Sequence, residues 1–383
     1  MNTISIKPEM IRWALKRADL DVHDLQKPFP KLSNWEQGLS APTLQQLEKL
    51  ARRVWIPLGY FFLPAPPEEK LPIPDFRSVR DTPVRNPSPN LLETVYTMQR
   101  RQAWLRDFVI EDGAEPLPFV GSVTLHDNPI EVANRMRTTF DITPDWARSE
   151  PTWTQALLDL RLNIEKAGIV TVWNGVVGNH TRRKLDVEEF RGFVLPDSYV
   201  PLVFINSADA KAAQMFTLVH ELAHIWLGKG GVLNLQELEP ADNDVERFCN
   251  KVAAEFLVPK NELEIAWLAV KHEPEPFQAL ARRFKVSPLV AARRALDLGY
   301  INQAAFFEFY RAYMVDERRK MKAKPPGGNF YATCDLRLGR PFAEAIVRAT
   351  KEGRLLYHEA YKLTGLQGTT FDKFAKKISR EVG

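Results

Sequence analysis

Phe216-Thr217-Leu218-Val219-His220-Glu221-Leu222-Ala223-His224 decides how this chain is read, because it sets two histidines four residues apart around a glutamate. On a helix, positions i and i+4 share one face, so the two imidazoles can hold a single Zn²⁺. Glu221, one step round from the first ligand, is placed to take a proton from a zinc-bound water. The preceding run from Ala208 to Val219 contains no Gly or Pro, and Ala212, Met215, Phe216 and Val219 recur at helical spacing. That pattern predicts a helix packed on a core, with Gly228, Gly230 and Gly231 as its stop signal. The plainer alternative is a structural helix that carries both histidines without a metal.

Two histidines leave a zinc site incomplete, since a catalytic site commonly has three protein ligands and one open position. The segment Glu246-Arg247-Phe248-Cys249-Asn250-Lys251-Val252-Ala253-Ala254-Glu255-Phe256-Leu257 offers the third. Phe248, Val252, Phe256 and Leu257 mark an apolar face, while Glu246 and Asn250 lie one turn apart on an adjoining face. The small Cys249, Ala253 and Ala254 would let this helix approach the histidine helix closely. Glu246 is the preferred ligand, with Asn250 placed to orient another ligand from behind. Glu255 and the Cys249 thiolate remain alternatives. Two imidazoles and a carboxylate suit Zn²⁺ best. The chemistry implied is attack of zinc-activated water on a carbonyl, with Glu221 as base and then as proton donor to the leaving amine.

Working outward through residues 151–262, Trp153 to Ala167 reads as an amphipathic helix. Ile169 to Trp173, Arg191 to Leu195 and Pro201 to Ile205 read as short strands. Pro201 to Ile205 directly precedes the histidine helix and is expected to be an edge strand onto which an extended peptide could add. A second helix, Asp244 to Leu257, is stopped by Pro259. On the N-terminal side, residues 1–65 give three helical patterns: Pro8 to Ala18, Val22 to Lys27 and Thr43 to Val54. Residues 66–150 combine a Pro-rich connector with a mostly helical stretch. Residues 263–300 read as a helical cap. Residues 301–383 read as a C-terminal helical region with a Lys/Pro/Gly linker from Lys320 to Gly328 and no chemistry of their own.

At 383 residues the chain is too long for one ordinary core, and 45% hydrophobic with 26% charged content describes a soluble, folded protein. A net charge of +4 permits contact with nucleic acid without arguing for it. Only Cys249 and Cys334 occur, which excludes a disulfide framework and a cysteine-based metal cluster. The N-terminus lacks the apolar core of a signal peptide, and no apolar run approaches the ~20 residues of a membrane span. A cytoplasmic protein without membrane contact is expected. His126, His180, His272 and His358 lie in polar surroundings and read as surface residues.

The two motifs, Phe216 to His224 and Glu246 to Leu257 continued by Val258-Pro259, resemble those of the ImmA/IrrE family of bacterial and phage zinc metallopeptidases. The second motif is the more diagnostic, since zinc hydrolases in general share only the first. Cys249 stands where the family usually has Ala, a small-for-small change. The resemblance implies a Zn²⁺ cofactor held by His220, His224 and Glu246, with Glu221 as catalytic base. It also implies a multidomain α+β protein. Its zincin-like peptidase core, a short mixed sheet plus the active-site helix, would be flanked by helical domains. The implied activity is that of an endopeptidase cleaving a regulatory protein partner, a repressor or an antitoxin-like regulator. The resemblance is strong over residues 151–260 and looser elsewhere. A reading from another class is a DNA- or toxin-binding transcriptional regulator or antitoxin with a vestigial or sensory zinc site. The intact Glu221 favours the peptidase, because metal binding alone would not need a base.

Two segments carry helix-turn-helix patterns that could meet DNA. In residues 1–65, Trp35-Glu36-Gln37-Gly38 followed by Pro42-Thr43 and Leu44, Leu47, Leu50 and Ala51 resembles the phage-repressor (XRE-like) domain. Here Pro28-Phe29-Pro30 occupies the place of the turn and early recognition helix, so the reading element is about one helical turn short. A packing or partner-binding role competes with DNA reading. The second segment, Ala279 to Leu296, has the spacing of two helices joined by a short turn. Arg282, Arg283, Lys285, Arg293 and Arg294 make it basic enough to meet phosphate. A helical cap on the peptidase is the equal alternative.

Overall fold

Pro8, with its φ preset and no N–H to lose, starts α1 (Pro8–Arg17). A computed structural model describes residues 3–18, 20–73, 87–233, 244–315 and 330–382. The contacts divide the chain into two units, Met1–Pro72 with Pro83–Val95 and Ile73–Thr82 with Tyr96–Gly383. In the first, α2 (Val22–Leu25) opens on an Asp21/Asp24 capping box, and α4 (Leu44–Arg53) on a Thr43/Gln46 capping box. Between them lies α3 (Leu32–Glu36), a helix that the sequence patterns do not give. Met10, Ile11, Leu15, Leu25, Leu32, Trp35, Leu47, Leu50 and Phe61 form the core. Phe29, between its two prolines, is buried in that core with its ring 6.4 Å from that of Trp35. The Pro-Phe-Pro segment is therefore a packed turn, and the helix after it has only five residues.

α5 (Pro89–Glu111) crosses the division between the units. Beyond it come α6 (Pro129–Thr139), with Pro129 at its first turn and Asn128 as its cap, and α7 (Trp153–Lys166), capped by Thr152. The strands follow as β1 (Val170–Asn174), β2 (Val176–Val177), β3 (His180–Lys184), β4 (Gly192–Leu195) and β5 (Leu202–Asn206). Then come α8 (Lys211–Leu227) and β6 (Gly231–Leu233). β2 and β3 pair as a small separate hairpin, and the main sheet has the order β1-β5-β4-β6. β1 and β5 run parallel, whereas β4 is antiparallel to both β5 and β6.

This order corrects the expectation that Pro201 to Ile205 forms an edge. β5 lies between β1 and β4, and all five of its residues are buried. Chain order placed it beside the histidine helix, but a continuous apolar run such as Leu202-Val203-Phe204-Ile205 belongs to a strand covered on both faces. Among the described residues the terminal strands are β1 and β6.

The C-terminal helices are α9 (Asp244–Leu257), α10 (Lys260–Val270), α11 (Pro276–Phe284), α12 (Pro288–Asp297) and α13 (Gln303–Val315). They are followed by α14 (Phe330–Leu338), α15 (Arg340–Lys351), α16 (Tyr357–Thr364) and α17 (Gly368–Val382). The Lys320–Gly328 linker lies outside the described residues. Gly339, between α14 and α15, rests on β1: a Cβ there would come 2.9 Å from Val170 Cγ1 and 3.0 Å from Thr171 O. Buried Arg101 of α5 ties these last helices down, donating to Leu363 O and Arg337 O at 2.9 Å each. One continuous core joins α6 to α13 with the sheet, and α8 runs through it. Among the described residues no helix is long and apolar enough to cross a membrane.

Candidate metal centre

α8 is buried almost throughout from Gln214 onward, so its polar groups must be satisfied inside the protein. Gln214 Nε2 donates to Ser207 O (3.1 Å) and Asp209 O (2.7 Å) at the start of the helix. Gly228 ends it with a left-handed φ of 64°, and Lys229 N then donates to His224 O at 3.0 Å. The loop before α6 takes two more end carbonyls, Gly121 N donating to Ile225 O and Val123 N to Trp226 O, both at 3.0 Å. A Cβ on Gly228 would sit 3.1 Å from Gly121 Cα, so this glycine serves both the turn and the close approach.

The helix so fixed holds His220, Glu221 and His224 in the core, 0%, 1% and 1% exposed. α9 packs beside it through small residues, Cys249 and Ala253, and brings in Glu246, 5% exposed. Glu246 Oε2 lies 3.0 Å from His220 Nε2, and its Oε1 lies 3.1 Å from His224 Nε2. The two Nε2 atoms are themselves 3.1 Å apart. With metal–ligand bonds of roughly 2.0–2.2 Å, tetrahedral donor atoms stand about 3.3 Å apart, so this triangle fits a small divalent cation after a slight opening. Behind the centre, His220 Nδ1 lies 2.9 Å from Asn250 Oδ1. With the Nε2 lone pair turned to the centre, Nδ1–H donates to the amide oxygen and holds the ring. Of the seven histidines in the chain only His220 and His224 are buried, and the other five are exposed.

The two carboxylates at the centre have opposite electrostatics. Burial opposes charge on Glu246, but attraction to His220 and the closeness of both imidazole Nε2 atoms outweigh it and hold the carboxyl well below the usual range. Glu221 has no such help. Burial, reinforced by repulsion from Glu246, pushes its carboxyl well above the usual range, and its Oε1 has no hydrogen-bond partner. Burial also lowers His224, against the pull of Glu246, which favours the neutral imidazole that a metal requires.

The structure separates the other candidates. Cys249 Sγ and donor nitrogens of both imidazoles lie within 4.8 Å of one another. Its thiol, however, is pushed well above the usual range by burial and then by Glu246 and Glu221, so it is a poorer donor than the carboxylate beside it. Glu255 is directed elsewhere. Its Oε2 pairs with Arg294 Nη2, and its Oε1 accepts from Lys260 N at 3.3 Å. Gly192 of β4 is a participant that the sequence reading passes over. A Cβ there would come 2.8 Å from Thr217 Cγ2, 2.9 Å from Phe204 O and 3.4 Å from Glu221 Oε1. A lone glycine inside an apolar strand is the signal that marks such a close approach.

The second helix-turn-helix pattern is α11 and α12, and two of its five basic residues, Lys285 and Arg294, turn inward, while Arg282 and Arg293 stay exposed. Lys285, at a left-handed φ of 54° in the turn, is buried and donates to Ala147 O (3.1 Å) and Arg282 O (2.6 Å). Arg294 is buried against Glu255 and donates from Nε to Val258 O at 3.1 Å. Arg283 pairs with Glu262 at 2.9 Å, and Arg293 with Asp297 at 3.0 Å.

A small mixed sheet packed with helices, one of them carrying the buried His-Glu-x-x-His face, is consistent with an α+β peptidase domain. Residues 165–296, a third of the chain, match a peptidase family model (M78) described as an IrrE N-terminal-like domain. This supports the resemblance to the ImmA/IrrE family and a peptidase acting on a protein substrate. Residues 338–377 match a model described as a domain of unknown function (DUF8813). Neither comparison with curated proteins nor comparison with solved structures gives a match.

Proposed function

We propose that this protein is a zinc-dependent endopeptidase whose catalytic residues lie within 151–262, in a core that extends from α6 to α13, and which cleaves a regulatory protein, repressor-like or antitoxin-like. The observation that carries the reading is the convergence of His220, His224 and Glu246 to within 3.1 Å beside a buried, unpartnered Glu221 oxygen. Buried polar atoms left facing one another in this way fit a cation better than they fit water. Bound there, zinc would supply Lewis-acid polarisation of a peptide carbonyl and acidify a water.

The chain's own residues do the rest. Glu246 brings a carboxylate that stays ionised, and Asn250 holds the His220 ring through Nδ1. Glu221, with a carboxyl raised above its usual range, is suited to take a proton from water at one stage. It gives that proton to the leaving amine nitrogen at the next. β6, the strand that follows α8 and is terminal among the described residues, is the edge along which an extended substrate segment could pair, in place of β5. The flanking helical segments would select the partner.

The test is zinc content and cleavage measured together, on wild type and Glu221→Gln, with a repressor-like protein as substrate. Zinc retained by both with cleavage by wild type alone is expected. Zinc retained with cleavage by neither would favour the regulator with a sensory or vestigial zinc site, and equal cleavage by both would remove Glu221 as base.

A further inference from the structure

We propose that the C-terminal helix α17 is a docking face for the phosphate backbone of double-stranded DNA, separate from both helix-turn-helix patterns. Residues 338–382 hold nine Lys and Arg against five Asp and Glu, an excess equal to the +4 of the whole chain. Within that segment the charge is sorted by helix. Three of the acids are engaged on α15 and α16: Glu344 with Arg340 at 2.7 Å, Glu352 with Arg354 at 3.5 Å, and Glu359 with the backbone N–H of Leu356 at 3.3 Å. Only Asp372 and Glu381 belong to α17 itself.

On α17, Phe371, Phe374 and Ile378 are buried, and Lys373, Lys376, Lys377 and Arg380 line one surface cleft on the other side. These four stand at i, i+3, i+4 and i+7, which places them in one row about 10 Å long at ~1.5 Å per residue. Lys351 of α15 adjoins the row, its Nζ donating to Ser379 Oγ at 2.7 Å.

The chemistry selects the occupant. Lysines in a row act as point charges toward phosphates and read no sequence. Both phenylalanines of α17 are buried, so the row offers no ring on which an unpaired base could stack. The same burial removes the apolar face that a helix needs to lie in a lipid surface. A duplex backbone, with one phosphate per strand for every ~3.4 Å of helix axis, presents charge at a density that this row can meet. In α11 and α12, by contrast, Lys285 and Arg294 are already consumed in the core.

The experiment is a salt titration of full-length, zinc-loaded protein binding to a labelled, random-sequence DNA duplex. Phosphate contacts from the three exposed cations of the row, Lys373, Lys376 and Arg380, give a slope of log K against log salt of about −2.7, or roughly a 40-fold loss of affinity between about 50 and 200 mM salt. Lys376→Ala with Arg380→Ala should flatten the slope by about 1.8. Lys376→Arg with Arg380→Lys, which keeps the charge, should restore it, and Arg282→Ala with Arg293→Ala should leave it unchanged. A double alanine variant that binds with the wild-type slope would overturn the proposal. So would a wild-type slope flatter than about −1, or displacement of the duplex by anionic vesicles but not by unlabelled duplex.

Discussion

The helix pairs α8–α9 and α11–α12 both bring charged and polar side chains together in the same core, and they use them in opposite ways. In α11–α12 each such group has an answer within the fold. Arg294 meets Glu255 and a carbonyl, Lys285 meets two carbonyls, and Arg283 meets Glu262. In α8–α9 the groups converge on one point and are left with one another, and Glu221 Oε1 has no partner at all. Leaving a buried polar group unmatched costs about 1–3 kcal/mol, so a protein tolerates it where something else is to be bound. Burial alone does not mark a site. Several unsatisfied buried groups converging on one point do.

The contrast can be broken or sharpened by substitution. The largest effect belongs to Glu221→Gln, which should lower cleavage by about 10²–10⁴-fold while the zinc content holds, as read by metal analysis beside a cleavage assay. Next comes Arg294→Ala, which strands the Glu255 carboxylate in the core and should cost about 3–5 kcal/mol in urea unfolding. An undiminished midpoint there would mean that α12 holds its cations for something other than the fold. Asn250→Ala removes the acceptor behind His220 and should weaken zinc affinity by about 10–100-fold in chelator competition, with the fold intact.

A smaller effect separates the two carboxylates in metal-free protein. Glu221 is raised in the folded state, so the fold favours its protonated form. Its contribution is fully present below the ordinary value of 4.5 and is lost as pH rises toward the folded value. Glu221→Gln should therefore melt higher than wild type above that pH, with the difference closing as the pH falls to it. Glu246 has the opposite sign, stabilising above 4.5 and losing that stabilisation as the pH falls below it. Parallel pH trends for the Glu221→Gln and Glu246→Gln variants would contradict this assignment. Smallest of all, Arg293→Ala on the exposed side of α12 should change stability by no more than about 0.5 kcal/mol.

The sequence makes α8 and α9 legible because their apolar positions repeat at the helical period and their ends carry Gly228 and Pro259. The choice between Glu246 and Glu255 was also within reach. Nine positions at ~100° each put them on opposite sides of α9, and Cys249, Asn250 and Ala253 share the side of Glu246. The sheet was less accessible. β6 has three residues, one of them glycine, and β3 reads His180-Thr181-Arg182-Arg183-Lys184, too polar to register as a strand. The interior position of β5 depends on pairings between distant segments, which local periodicity does not report. The inward turn of Lys285 and Arg294 depends on acceptors contributed by Ala147, Glu255 and Val258, which no local pattern announces. α3 was hidden by the two prolines before it.

The far end of α9 sets a lower limit on how much chain the centre requires. Arg137 of α6 donates from Nη1 to Glu255 O (2.9 Å) and Phe256 O (3.0 Å), and Arg294 of α12 donates to Val258 O. Two guanidinium groups from flanking helices thus hold the negative pole of the helix whose other end delivers Glu246. One of these anchors lies before residue 165, outside the segment that matches the peptidase family. Dissection of the protein has to begin upstream of α6, because a fragment cut at the boundary of family similarity would keep every proposed ligand and lose part of the frame that aims one of them.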